Sequence, residues 1–474
     1  KPILANLQNK GYTIHYGWLY WVTNETCHGG SPASSYGMWH FPNISAQLKP
    51  SPNTGANAIL FHPSDAILFT GCTAPEATYL GYENYVYAKY NPENAPNTSM
   101  SIVFGSTGGA INNYLINTTN VNGSTSAPFD AMTTIITSGD QVTYNDIYNE
   151  YNKMNLTDQV NDNWIPEKYF KFTPYNFTRS NYTVLNYPGQ IDSFMPVTRI
   201  INHLDQQDWT EYVNYKQPVY WITAEKLRKP NDTQPREPYT ELYVRNHTSS
   251  HDELDLEDAF DTYVNDTINY FENYYQMDFV ESRTVVNYNI EPHYYGYECY
   301  DNNWNCQGDL RDEQYWGTHN GTNVVRRHPT FHPKGAYNLF NDSYFLMMGV
   351  NHVATNMTLY DNVILYYMEN RYLGLYEPIF MVDNYHYNNS CNQFNITSTV
   401  SPNTLSQFYM VQISRPYNCR GKNLPSICPE ENIIKESNLF AMYTRNLLNL
   451  ETLTRPSQQQ VIPDILLHFR INKE

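Results

Sequence analysis

Charge is what this sequence has least of: 16% of its 474 residues are Asp, Glu, Lys or Arg, against about 25% in ordinary soluble proteins. Positive charge is scarcer still, with 29 Lys and Arg against 47 Asp and Glu, a formal net charge of -18. Phosphate backbones need a basic stripe, so this balance argues against a nucleic-acid partner and against docking on an anionic membrane surface. No window approaches ~18 consecutive apolar residues, so no helical membrane span is expected. No CxxC or Cys/His spacing matches a zinc site. The GSTGG at 105–109 lacks the lysine and the helix of a phosphate loop, and no G-x-S-x-G elbow is present. No internal repeat appears at a fixed period.

Polarity comes instead from 57 Asn and 44 Tyr, with 41% hydrophobic residues spread through the chain. That is enough apolar surface for a folded protein of two or three domains, or one large core. Tyrosine clusters such as YLGYENYVYAKY (79–90), NYFENYY and PHYYGYECY offer broad apolar faces with polar tips, which suit wet interfaces and sugar stacking. A codon bias toward Asn, Tyr and Ile accounts for them equally well.

Asn-x-Ser/Thr occurs at Asn24, Asn43, Asn97, Asn117, Asn122, Asn155, Asn176, Asn181, Asn231, Asn246, Asn265, Asn320, Asn341, Asn356, Asn388 and Asn395. Chance predicts about seven at ordinary Ser/Thr usage of ~13%, and sixteen are found. The excess points to a secreted, extracellular glycoprotein of eukaryotic type and requires those asparagines to face water. The chain opens on Lys1 rather than Met, which reads as a mature form whose leader was removed. Seven cysteines fit an oxidising compartment. The short spacings favour bridges Cys299–Cys306 and Cys419–Cys428, leaving Cys27, Cys72 and Cys391 for one further bridge and one spare thiol.

Along the chain, YTIHYGWLYWV (12–22), AILFHPSDAILFTG (58–71) and SMSIVFGS (99–106) alternate as half-buried strands, and HGGSPASSYG (28–37) reads as a loop. MTTIITSGD begins a βα unit, with Thr143 placed to cap a helix carrying Ile147, Tyr148, Tyr151 and Met154. The stretch 195–215 reads as helix and PVYWITAEKL (218–227) as strand. A long helix is expected over 255–275, with Leu256, Phe260, Tyr263, Val264, Ile268, Phe271 and Tyr275 on one stripe and acids in its first turn. Beyond 278, FVESRTVVNYNI, YFLMMGVNHVATNM, NVILYYMENRY and QFYMVQIS read as strands. The fold class expected is α+β: strand-rich N- and C-terminal parts around a more helical middle, with mixed or antiparallel sheets. The parts are 1–130, 131–277 and 278–474, the last able to pack with 1–130 as one domain; the proline-rich segment 227–239 is the best break.

Chemistry concentrates in NCQGDLRDEQYWGTHNGTNVVRRHP (305–329). Asp301, Asn303, Asn305 and Asp312 fall at positions 1, 3, 5 and 12 of a calcium-loop template, but Cys306 stands where the turn needs glycine. Asp309, Asp312 and Glu313 are candidates for paired-carboxylate glycosidic chemistry, or else bond loop amides and pair with Arg311. His352 sits in an apolar strand, and Glu76 follows a turn. If an active site exists, Glu76, Asp309, Arg311 and His352 are its candidate catalytic residues. No cofactor is expected beyond the weak calcium template.

Three motifs, CTAPE (72–76), NCQGDLRD (305–312) and GVNHVAT (349–355), resemble in order those of a family of uncharacterised secreted proteins of bacteria and eukaryotes, over residues 60–420. Ala74 departs from the proline usual there. The resemblance implies one shared framework for Cys306, Asp309, Arg311, Asp312 and His352, catalytic or structural alike, and brings no established activity with it. Two functions remain in view. One is a heavily N-glycosylated structural or surface protein, a subunit of a filament or coat, self-associating through Tyr-rich surfaces and its apolar chain ends. The other is a secreted polysaccharide-directed hydrolase using the acids of 305–313.

Overall fold

A computed structural model describes residues 2–22, 34–41, 47–48, 58–90, 100–170, 193–227, 235–241, 246–287, 296–302, 306, 308, 310–318, 337–370, 375–394, 396–419, 425–430, 434–435 and 439–472. These fall into two compact units rather than three stretches. The first comprises Lys1–Glu25, Ala33–Val244 and Tyr294–Arg311; the second comprises Thr26–Pro32, Arg245–His293 and Asp312–Glu474.

The described strands of the first unit form one sheet of twelve. Its path runs Val160–Trp164, Met132–Ser138, Ala66–Cys72, Pro218–Thr223, Thr13–Val22, Ser34–His40, Ser193–His203, Ala58–Leu60, Gln47–Leu48. The long strand Ala77–Tyr90 pairs with Ser193–His203 and carries Met100–Ser106 and Ile111–Asn112. Alternation sorts side chains to two faces. Ile67, Phe69, Ile135, Val219 and Trp221 pack into one core; Ala66, Leu68, Ile136 and Ile222 pack under the helices Pro2–Asn9 and Gln141–Asn152 on the other. The expected βα unit closes as βαβ, because Val160–Trp164 returns parallel to Met132–Ser138. Its helix is capped by Asp140, which accepts from the Thr143 backbone N–H at 3.1 Å and from the Thr143 hydroxyl at 2.7 Å. Thr143 is therefore the capped residue and not the cap.

Three further readings change. Residues 195–203 are strand, and the helix begins only at Gln206. The run Ser193–Ile201 is buried on both faces and pairs with Ala77–Tyr90 along one edge. On its other edge it pairs at 193–194 and again at 197–201. Pro196, which has no N–H to give, falls in the gap between those two partners. A strand buried on both faces loses the alternation that would mark it, so β-branched Val197, Thr198, Ile200 and Ile201 were the only local clue. Second, Ser34–Gly37 belongs to a strand and not to a loop. Third, of the segment 227–239, residues 228–234 lie outside the described residues and 236–237 pack on the first unit: Arg236 Nε donates to Asp140 at 3.0 Å, and the Glu237 N–H donates to the same carboxylate at 2.8 Å.

In the second unit a five-stranded sheet (Met277–Thr284, Ile465–Ile471, Ser343–Val350, Phe408–Ser414, Ser426–Ile427) and a six-stranded sheet built on Leu439–Leu447 and Tyr360–Asn370 are described. Ser343–Val350 is buried throughout. Phe345 and Met347 point to a core shared with Val363, Leu365, Phe440 and Met442 of the other sheet; Tyr344, Leu346 and Met348 point to a core under the helix Glu257–Tyr274. That helix buries Phe260, Tyr263, Val264 and Phe271 of the expected stripe. The architecture is strand-rich, with antiparallel and mixed sheets; the longer helices Gln141–Asn152, Gln206–Asn214 and Glu257–Tyr274 do lie in 131–277, though alternating with strands.

The apolar chain ends are used within the units. Leu4 and Leu7 of Pro2–Asn9 are buried, with Asn6 donating to Glu150 at 2.8 Å, and Ile465–Ile471 lies between two strands of its sheet.

Candidate functional site

Cys299 and Cys306 are bonded, as are Cys419 and Cys428. Cys72 and Cys391 are free thiols, and Cys27 lies outside the described residues. The first bridge pins the opening of the 305–329 stretch. The Cys306 N–H donates to Val103 O at 2.7 Å and the Gly308 N–H to Phe104 O at 2.8 Å, so this loop pairs with a strand end. Gly308 takes φ +75°, and a Cβ there would stand 2.6 Å from the Phe104 ring, so both conformation and space require glycine. Arg311 is buried, its guanidinium 3.4 Å from Ser106 O.

Of the enzyme candidates, Glu76 and Arg311 lie in the first unit and His352 in the second. Asp309 lies outside the described residues, with Asn303 and Asn305 of the calcium template. Asp301 is paired with Lys168 at 3.4 Å, whereas Asp312 is buried in the second unit, so those two template positions belong to different units. No group of three His, Cys, Asp or Glu placed to hold a metal occurs among the described residues. Glu76 is exposed in the first unit, and Arg311 is buried in it. Glu313 is buried in the second unit, accepting from the Tyr315 hydroxyl at 2.5 Å.

His352 is the instructive member. It lies one turn past the end of Ser343–Val350 rather than inside a strand, 3% exposed. Its Nδ1 stands 2.8 and 2.9 Å from the two carboxylate oxygens of Glu253, which is fully buried. Glu253 also accepts from the Thr355 hydroxyl and, at 3.1 Å, from the Ile462 N–H. Around the pair sit Asp361, bonded by the Tyr387 hydroxyl, and Asp464, with Tyr387 and Tyr409 stacked at 4.3 Å. Burial alone would depress the imidazole, but the charge and hydrogen bond of Glu253, with Asp464 and Asp361 beyond, raise His352 to about 9. Burial raises Asp361 to about 7 against the opposing pull of His352, and burial likewise raises Asp464. The hub thus favours the imidazolium form of His352 at neutral pH, with His352 and Glu253 both buried. These bonds tie Glu253, the 351–358 turn and the 460–464 segment together. Glu253, Asp361, Asp464, Tyr387 and Tyr409 carry no local sequence signal; Glu253 reads as one acid of the HDELDLED run.

Gly349 seals one side of the hub. A methyl there would run into Asp464 Oδ1 and stand 2.7 Å from Tyr409 Cε1. Gly349→Ala is expected to destabilise the protein by about 1–3 kcal/mol through overpacking. Urea unfolding measures this; a change within error would mean that Asp464 has room to move.

The outer surface carries the other candidate feature. Eight sequon asparagines lie among the described residues, Asn117, Asn122, Asn155, Asn246, Asn265, Asn341, Asn356 and Asn388, and all eight are exposed. Nine asparagines are buried among the described residues, Asn84, Asn161, Asn362 and Asn446 included, and none of the nine stands in a sequon. Asn388 accepts through Oδ1 from Asn351, which leaves Nδ2, the atom that would carry sugar, turned away. Asn117 instead donates Nδ2 to Val160 O at 3.1 Å; an N-linked sugar replaces only one of its two hydrogens.

Seventeen tyrosines are buried among the described residues, and seven are exposed. Much of the tyrosine excess is therefore core. On Thr13–Val22, Tyr16 and Tyr20 are 61% and 49% exposed on the face that Ile14 buries further along.

No known protein-family profile matches the chain, and no curated protein sequence does. Among solved structures the backbone is similar to the VPA0106 protein of Vibrio parahaemolyticus, at 10% identity over 90% of this chain and 92% of that one, with a TM-score of 0.34. It is matched also to the CBM22-1–CBM22-2 tandem domain of Paenibacillus barcinonensis Xyn10C, at 7% identity over 98% and 94% of the chains and a TM-score of 0.14. A third match is a partial N-terminal region of enterococcal surface protein, at 7% identity over 95% and 87% and a TM-score of 0.15. At TM-scores this low none of these likenesses carries an argument.

Proposed function

We propose that this chain is a secreted, N-glycosylated structural or surface protein, a subunit that packs into a filament or coat, related to the uncharacterised secreted proteins that its three motifs resemble. The observation that carries the reading is the partition of asparagines: every described sequon faces water, and the buried asparagines stand in none. The tripeptide is chemically indifferent to burial unless the enzyme that reads it needs access. Two disulfides are compatible with an oxidising compartment, and no described helix is long and apolar enough to cross a membrane. Exposed tyrosines such as Tyr16, Tyr20, Tyr274 and Tyr385 supply amphipathic contact area for a neighbouring subunit.

Peptide mass spectrometry of native protein is expected to find sugar at most of the eight exposed sites. Bare asparagines throughout would remove the reading. Negative-stain images of the native material test assembly separately, since uniform small particles would leave a secreted glycoprotein that does not polymerise.

A further inference from the structure

On the helix-covered face of the twelve-stranded sheet there is a pocket of about 330 Å³ where the cover of Pro2–Asn9 ends. Its walls are Leu68, Met132, Tyr151, Leu156 and Tyr220, with Thr70, Thr119 and Gln159 as polar members. Two of its rims are sequons: Val121 and Gly123 line it on either side of Asn122, and Met154 and Leu156 line it on either side of Asn155. We propose that this pocket seats the chain's own N-linked carbohydrate, with sugars on Asn122 and Asn155 folding back over it. The proposal rests on the reading of the chain as N-glycosylated.

Both attachment points are held rigidly. Asn155 takes φ +55° just past the helix Gln141–Asn152, and its N–H donates to Asn152 O while that of Leu156 donates to Tyr151 O, both at 3.0 Å. Asn122 sits in a turn closed by Asn120 Oδ1, which accepts from the N–H groups of Asn122 at 2.9 Å and Ser124 at 3.2 Å. Fixed attachment lowers the entropy lost when a tethered ligand is seated. The pocket also has the right chemistry: a sugar ring has apolar C–H faces and a hydroxyl rim, matched by tyrosine and methionine faces with a few hydroxyl and amide groups. Its size lies at the small end for ligand sites (~300–1,000 Å³) and suits one or two rings near the attachment point. Without such a cover, Val121 and Met154 stand 93% and 45% exposed beside it, and Tyr16 extends the aromatic surface 5.6 Å from Tyr220.

The test uses protein secreted from a glycosylating eukaryotic culture. Mass spectrometry first reads occupancy at Asn122, Asn155 and, as a control, Asn341. Brief peroxide treatment then reads the oxidation rates of Met132, in the pocket wall, and Met154, at its rim, before and after enzymatic removal of sugar from the folded protein. Thioether oxidation follows exposure, so Met132 is expected to oxidise several-fold faster once sugar is removed. The double variant Asn122→Gln/Asn155→Gln should match the stripped protein, and Asn341→Gln should match the wild type. Sugar at both sites with no change at Met132 overturns the proposal and leaves the glycoprotein reading standing. So does finding Asn122 and Asn155 bare while other sequons are occupied. If every sequon is bare, both fall together.

Discussion

Replacing Glu253 by alanine is expected to destabilise the protein by about 3–5 kcal/mol, the range for removing one partner of a buried ion pair. The loss has identifiable parts. The His352 imidazolium loses the carboxylate that stands at hydrogen-bond distance from its Nδ1. The Ile462 N–H and the Thr355 hydroxyl both lose their acceptor, and an unmet buried donor costs about 1–3 kcal/mol. Glu253→Gln should cost less, because the amide oxygen can still accept from Ile462. The double variant Glu253→Ala/His352→Ala should lose less than the sum of the two single changes, since each single change leaves a charge stranded. Chemical denaturation of the four proteins closes the cycle. Additive losses would mean that the contact contributes nothing of its own.

Stability is also expected to fall as pH rises from about 6.5 to about 9. His352 has a folded value near 9 against about 6.5 in the unfolded chain. The folded state therefore binds this proton more tightly. Its stabilising contribution is complete below 6.5 and is lost as pH climbs through 9. The displacement corresponds to roughly 3 kcal/mol across that window. Asp361 acts in the same direction at lower pH: raised from the ordinary carboxylate range to about 7, it imposes a cost that grows as pH rises toward 7 and is constant above it. Glu150 of the first unit opposes this only in acid. Bonds from Lys153, Asn6 and Lys10 outweigh its burial and hold it at about 2, so its contribution is present above its usual value near 4.5 and is lost as pH falls toward 2. The sum predicts greatest stability at mildly acidic pH. Urea midpoints at pH 5.5, 7 and 9 measure it, and His352→Gln should flatten the fall between 6.5 and 9. Stability that rises across that window would contradict the buried imidazolium.

Legibility in the sequence follows distance along the chain. Alternation is enough to find Thr13–Val22, short apolar runs rich in aromatic or β-branched residues are enough for Ala66–Cys72 and Phe408–Ser414, and the apolar stripe with its acidic first turn is enough for Glu257–Tyr274. The bridges Cys299–Cys306 and Cys419–Cys428 span 7 and 9 residues, short enough for spacing to pick the partners. The misread stretch, Ser193–His203, is a strand whose neighbours Ser34–His40 and Ala77–Tyr90 are over a hundred residues away. Being covered on both faces, it shows no alternation to distinguish it from helix. The same limit hides the site: His352 is visible as a lone histidine, but Glu253 lies 99 residues before it and Asp464 far after it.

By itself, then, the sequence determined what depends on tripeptides, short loops and periodicity: the sequon excess, two disulfides, the acidic surface and most individual strands. Only the tertiary structure decided which strands are neighbours, which asparagines meet water and that His352 is buried against Glu253. Those properties are set by burial and by contacts between distant segments, and neither has a signature within a dozen residues.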